Sequence, residues 1–188
     1  MKHFILSALM LLVSCTIMAQ EQEHLKFMGV PITGTEKAFI AEMKAKGFTR
    51  KHRVSADIYI MSGRFAGQDA DIWILSDNKI VGRIIVDFPQ EFSFPTLEST
   101  YNDMIAQFKI KYGEPDTRIE KFNDPYYDTS NELRIQALRC GECNYSTYWH
   151  QKNGGICVRL GTSPNLQIWY YDKDAIDKNE QQEIQNDI

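Results

Sequence analysis

The pair Asn153-Gly154 constrains this chain more than any other feature. It stands between two runs rich in β-branched and aromatic residues, about 144–151 and 155–161. Asn-Gly suits a two-residue type I′ turn, because both turn positions need positive φ. With these two residues as the turn, Lys152 opposes Gly155, Trp149 faces Val158, Thr147 faces Leu160 and His150 opposes Cys157. That register gathers the apolar residues on one face and leaves Tyr148 beside Arg159 on the other. A third run, about 166–172, puts Trp169 and Tyr171 on one face and Leu166, Ile168 and Tyr170 on the opposite one.

The rest of the chain falls into the same kinds of element. Thr33-Gly34-Thr35-Glu36 reads as a capping box, Phe39, Ile40 and Met43 share a helical face, and Gly47 is a suitable stop. A helix over about 35–46 follows. Strand-like runs cover about 57–65, 70–76 and 79–88, with a shorter one around 48–54. The runs 70–76 and 79–88 are apolar at both parities. Such strands belong to a sheet that is covered on one face and partly covered, or binding something, on the other. Leu97, Tyr101, Met104, Ile105, Phe108 and Tyr112 predict a helix over about 96–112, entered at Pro95 and ended by Gly113 and Pro115. The stretch 116–131 reads as irregular, and a short helix is expected at about 131–139. The expected fold is therefore α+β: two α-β-β-β units with antiparallel sheet packed against helices, in one domain over 20–173. The half-repeats are about 27–90 and 91–173, and a polar, acidic tail occupies 174–188.

Residues 1–19 carry the pattern of a secretory signal peptide. Lys2 precedes an apolar run from Phe4 to Val13, too short to span a bilayer, and Gln20-Glu21-Gln22-Glu23 is polar. Cleavage after Ala19 leaves a soluble exported protein, periplasmic or secreted. Leu12-Val13-Ser14-Cys15 offers a second reading, an outer-membrane lipoprotein anchored through Cys15. No later run is long and apolar enough for a membrane span.

The order α-β-β-β, repeated, resembles the beta-lactamase-inhibitor-protein-like fold, which also occurs in small outer-membrane assembly lipoproteins. The segments Lys26-Phe27-Met28-Gly29-Val30-Pro31-Ile32-Thr33-Gly34-Thr35, Gly63-x-Phe65-Ala66-Gly67 and Cys143-Asn144-Tyr145 resemble uncharacterised exported proteins of Gram-negative gut bacteria. The first resemblance implies a concave sheet face as partner surface; the second implies no activity.

Side chains with chemical potential are few. Cys140-Gly141-Glu142-Cys143 follows a helix and enters a strand, so the helix dipole has the wrong sign for a redox thiolate. Cys140, Cys143, Cys157 and His150 have zinc-ligand chemistry, but Cys143 lies seven residues from His150 on one strand. That is more than about 20 Å at a strand's rise, so no metal site is expected. A local Cys140–Cys143 disulfide is open to an exported chain. His150 opposite Cys157 would be a thiolate–imidazole pair, the basis for an alternative as a small exported hydrolase. Tyr148, Arg159, Trp169 and Tyr171 are the expected binding residues, for a protein or, through the exposed aromatics, for a glycan. The basic stretch Lys44, Lys46, Arg50, Lys51, Arg53 contrasts with acids from Asp172 onward.

Composition closes several routes. Apolar residues make up 43% and the net charge is −4, so the chain is a folded protein without the positive field that nucleic acid demands. There is no Gly-rich phosphate loop, metalloprotease helix or nucleophile elbow, and no cofactor is expected. The expectation is an exported, non-enzymatic binding or envelope-assembly protein whose partner is another envelope or extracellular protein or a glycan.

Overall fold

The structure is a computed structural model that describes residues 24–173 and Asp177, with the backbone alone at Tyr126. Residues 1–19, read above as a signal peptide, and most of the tail expected over 174–188 lie outside the described residues. Two short strands, β1 (Lys26–Phe27) and β2 (Val30–Pro31), pair with each other. Then come α1 (Glu36–Ala45), β3 (Thr49–Arg53), β4 (Ile58–Phe65), β5 (Gln68–Asp77) and β6 (Ile80–Asp87). The second part holds α2 (Phe94–Tyr112), β7 (Thr117–Phe122), a 3-10 turn (Pro125–Thr129), α3 (Asn131–Cys140), β8 (Cys143–Gln151), β9 (Gly154–Gly161) and β10 (Asn165–Asp172).

The fold is α+β, with one antiparallel sheet in the order β3-β4-β5-β6-β10-β9-β8-β7. Each part is a helix followed by a four-stranded meander: β3 is the shorter strand expected around 48–54, whereas β7 lies in the stretch 116–131 that reads as irregular in the sequence. The second part also carries α3 between its first two strands. The meanders join where β6 pairs with β10, and Ile85 opposite Trp169 lies at that seam. Both outer strands are rich in charge, Thr49-Arg-Lys-His-Arg53 and Thr117-Arg-Ile-Glu-Lys-Phe122. Charged edges discourage a further strand from adding to the ladder.

All three helices pack on one side of the sheet. Phe39 and Met43 of α1, Leu97, Tyr101, Met104, Ile105 and Phe108 of α2, and Ile135 and Leu138 of α3 meet one core. The sheet contributes Tyr59, Met61, Ile72, Ile74, Ile84, Val86, Ile168, Tyr170, Ile156, Val158, Tyr145 and Trp149. Every one of these points from the same face, as the cross-strand registers require. Burial of this apolar area is the main driving force for the fold. Tyr101 and Thr147 share a buried hydroxyl–hydroxyl bond of 2.6 Å, and Trp149 Nε1 donates to the Gly113 carbonyl at 2.9 Å.

Two local readings need correction. The α1 cap is Thr35, whose Oγ1 accepts from the Ala38 amide at 3.3 Å, so Thr33 and Glu36 form no capping box. Glu36 instead turns inward, where Arg53 pairs with it and Ser76 Oγ donates at 3.0 Å. The β8–β9 turn is Lys152-Asn153, and Gly154 is the first residue of β9. Gly154 has φ 145, and a Cβ there would stand 2.0 Å from the Tyr171 carbonyl oxygen. The close passage of β10, not the turn, demands that glycine.

The shifted turn moves the register of β9 against β8 by two residues. Trp149 opposes Ile156, Thr147 opposes Val158, Tyr148 opposes Cys157 and His150 opposes Gly155. Each residue still points to its expected face, because a shift of two preserves parity.

Candidate functional site

The second face of the sheet has no helix against it among the described residues. Its middle row is apolar or aromatic across six adjacent strands. Reading along the register, Ile60 opposes Trp73, Trp73 opposes Ile85, Ile85 opposes Trp169, Trp169 opposes Cys157 and Cys157 opposes Tyr148. Ile60 is 2% exposed and Cys157 5%, although neither joins the helix-side core. Neighbouring side chains on this face cover them. The run of apolar residues at both parities in β5 and β6 is the sequence signal for this surface.

A polar row flanks it toward one end of the sheet. Asp71 and Asp87 oppose each other directly, an unfavourable placement for two like charges. Neighbours relieve it. Lys51 pairs with Asp71, and Ser62 Oγ donates to Asp71 at 2.6 Å. Asp87 accepts from Asn165 Nδ2 at 2.7 Å and from Gln167 Nε2 at 2.8 Å. A groove of about 720 Å³ opens over these residues.

Tyr148, Arg159, Trp169 and Tyr171 all lie on this uncovered face. Trp169 has the Arg159 guanidinium carbon 5.3 Å from its ring centroid and that of Arg83 5.9 Å away. Its Nε1 donates to Gln167 Oε1 at 3.1 Å. Tyr171 lies over Gly155, where a Cβ would come 2.3 Å from the Tyr171 hydroxyl oxygen. Tyr148 stands directly opposite Cys157 across the β8–β9 pair. Arg83 and Arg159 form no ion pair with any described residue.

Among the described residues, the buried side-chain polar atoms that lack a partner are Trp73 Nε1, Arg159 Nε and Asn165 Oδ1. All three belong to residues of the uncovered face. Buried polar groups are nearly always satisfied, so their concentration on one face singles it out.

His150 and Cys157 are not brought together as a pair. His150 Nδ1 lies 3.3 Å from Asp116 Oδ2, and the His150 amide donates to the same oxygen at 2.6 Å. Burial pushes the Cys157 thiol up to about 11, against the thiolate a nucleophile needs. Cys140, Cys143 and Cys157 all stand as free thiols, the alternative that the sequence left open beside a Cys140–Cys143 bridge. Burial first, then the nearby charges of Asp128 and Glu98, pushes Cys143 up to about 12. Among the described residues no three His, Cys, Asp or Glu side chains stand together as a metal site.

The basic stretch is largely used within the fold. Arg53 pairs with Glu36, Lys51 pairs with Asp71, and Arg50 and Arg53 lie over the Tyr59 ring. Sequence reasoning missed His24 and Asp172. Asp172 is fully buried and accepts from the Leu25 amide at 2.9 Å, while His24 Nδ1 lies 3.1 Å from its Oδ1. This carboxylate ties β1 to the end of β10; nothing in the local sequence sets it apart from the acids that follow.

No helix among the described residues is long and apolar enough to cross a membrane. Comparison with protein-family models, with curated proteins and with solved structures found no match.

Proposed function

We propose that the chain is an exported, non-enzymatic binding protein whose uncovered sheet face docks a protein of the cell envelope or extracellular space. The observation that carries this reading is the apolar row from Ile60 through Trp73, Ile85, Trp169 and Cys157 to Tyr148 on a face that no described helix covers. Central aromatic residues with a polar surround are the usual energetic core of a protein interface. Arg83 and Arg159, without carboxylates of their own, favour a partner that sets acidic side chains beside apolar ones. The orphan polar atoms on the same face support this, since a seated partner can supply what they lack.

Export rests on the leader-like composition of residues 1–19. Mass spectrometry of the mature N-terminus tests it and separates a chain starting at Gln20 from one lipidated at Cys15. The helix-plus-meander order suggests the inhibitor-like resemblance, and binding by a sheet face accords with it. The guanidinium groups over Trp169 disfavour a glycan, because they occupy the ring surroundings against which a sugar would stack.

The test is a matched pair of variants used as bait against envelope extract. Ile85→Lys places a charge at the centre of the row, and Ile110→Lys changes an exposed residue of α2. The proposal expects one discrete protein that binds the parent and Ile110→Lys and is lost with Ile85→Lys. Turnover of a hydrolase substrate that depends on His150 and Cys157 would contradict it.

A further inference from the structure

A second cavity, of about 350 Å³, opens at the corner of the sheet where the α3–β8 and β9–β10 connections meet. Its charged lining consists of Lys121 and Arg159, and no carboxylate lines it. Neither cation forms an ion pair with a described residue. Arg159 is held in place, with its guanidinium over Trp169 and its buried Nε without an acceptor. Asn144 also lines the space. Its Oδ1 accepts from Ser146 Oγ at 2.8 Å, which leaves its Nδ2 as a donor. Thr162 adds a hydroxyl. Glu142 lies outside the lining, and its Oε2 accepts from Asn123 Nδ2 at 2.9 Å.

We infer that this corner is a binding site for a small oxyanion, of the carboxylate class. Two cations that share a lining with an amide and a hydroxyl donor, and with no carboxylate, create a positive potential that an anion neutralises. A guanidinium already fixed on an aromatic ring loses little freedom when it forks to a carboxylate, whereas Lys121 supplies a mobile point charge. The carboxylate comes either from a free small dicarboxylate or from an acidic side chain of the partner docked on the sheet. Only the second source rests on the docking proposal.

The experiment uses the protein alone, so it stands apart from any partner. Side-chain and backbone ¹H–¹⁵N spectra are recorded during titration with succinate, with the side-chain mimic N-acetylglutamic acid amide, and with uncharged succinamide. The expected result is a saturable shift of the Arg159 Nε–H signal and of residues 142–146 with an anionic probe, and none with succinamide. Lys121→Gln should weaken binding about tenfold, the effect of losing about 1.4 kcal/mol. Arg159→Gln should abolish it. Lys121 is exposed on an edge strand, so the first variant keeps the fold even if the second disturbs the packing on Trp169. Tighter binding of succinate than of the mimic identifies a free ligand as the source; the reverse order identifies a side chain. Shifts that do not saturate with either anion, or that persist unchanged in both variants, would overturn the inference.

Discussion

The guanidinium carbon of Arg159 lies 5.3 Å from the ring centroid of Trp169. The contact joins β9 to β10 on the side of the sheet away from the helices, and it links the apolar row to the basic corner. Neither residue is needed by the helix-side core. Arg159→Met should therefore cost no more than about 1 kcal/mol in a denaturant titration, the range of a partly exposed cation–π contact. A much larger loss would mean that Arg159 is a structural residue.

Thiol chemistry should divide the cysteines of the described residues sharply. Cys140 is exposed, while burial raises Cys143 to about 12 and Cys157 to about 11. A maleimide added at neutral pH should label Cys140 quickly and leave Cys143 and Cys157 unmodified until the protein is denatured. Fast labelling of Cys157 in the native protein would revive the nucleophile reading.

Alkali should unfold the protein through the same burial. Burial raises the Tyr101 phenol from 10.0 to about 12, and raises the Cys157 thiol from 9.0 to about 11. A raised folded value means that the neutral form is favoured by folding. The stabilisation is complete below the unfolded value and is lost as pH climbs through the folded one. Stability measured by denaturant titration should fall steadily from about pH 9 to about pH 12. Tyr101→Phe should make the upper part of that fall shallower and cost about 1 kcal/mol at neutral pH, through loss of the bond to Thr147.

Glu36 should respond to acid in the opposite sense. Burial works to raise it, but hydrogen bonds from Arg53 and Ser76, with the Arg53 charge, outweigh that and hold it below its ordinary 4.5. Its contribution is present above the unfolded value and is lost as pH falls through the lower, folded one. Arg53→Met should destabilise by about 1–2 kcal/mol, allowing for solvent around the half-buried guanidinium. The variant should also lose less on acidification than the parent.

Gly154→Ala tests the corrected hairpin. The new Cβ would meet the Tyr171 carbonyl and force φ 145 on an alanine. We expect a loss of more than about 1 kcal/mol in thermal or chemical unfolding. A neutral substitution would contradict the close approach of Gly154 to the Tyr171 carbonyl.

The core strands and helices were legible in the sequence, because β5 and β6 hold apolar runs bounded by turn residues and Tyr101, Ile105 and Phe108 repeat at a helical period. Strand β7 was not, because its helix-side positions hold Arg118 and Glu120 and its apolar residues Ile119 and Phe122 have opposite parity. An edge strand need not alternate. The hairpin register failed because Asn-Gly carries a strong turn preference, while the glycine was required by β10, distant in sequence. The aromatic face was legible as parity in β5 and β6, but its continuity through Trp73, Ile85 and Trp169 depends on how the two meanders join. No local pattern encodes that seam.

The most direct test of the docking face is a photo-crosslinking amino acid placed at Ile85, with Ile110 as the control on the opposite side, in the cells that make the protein. Ile110 is 89% exposed on α2 and Ile85 is partly exposed, but only Ile85 lies in the apolar row. The account predicts one discrete adduct from position 85, identified by mass spectrometry as a single protein, lost on Trp73→Ala and not formed from position 110. No adduct from position 85, or the same adducts from both positions, would contradict it.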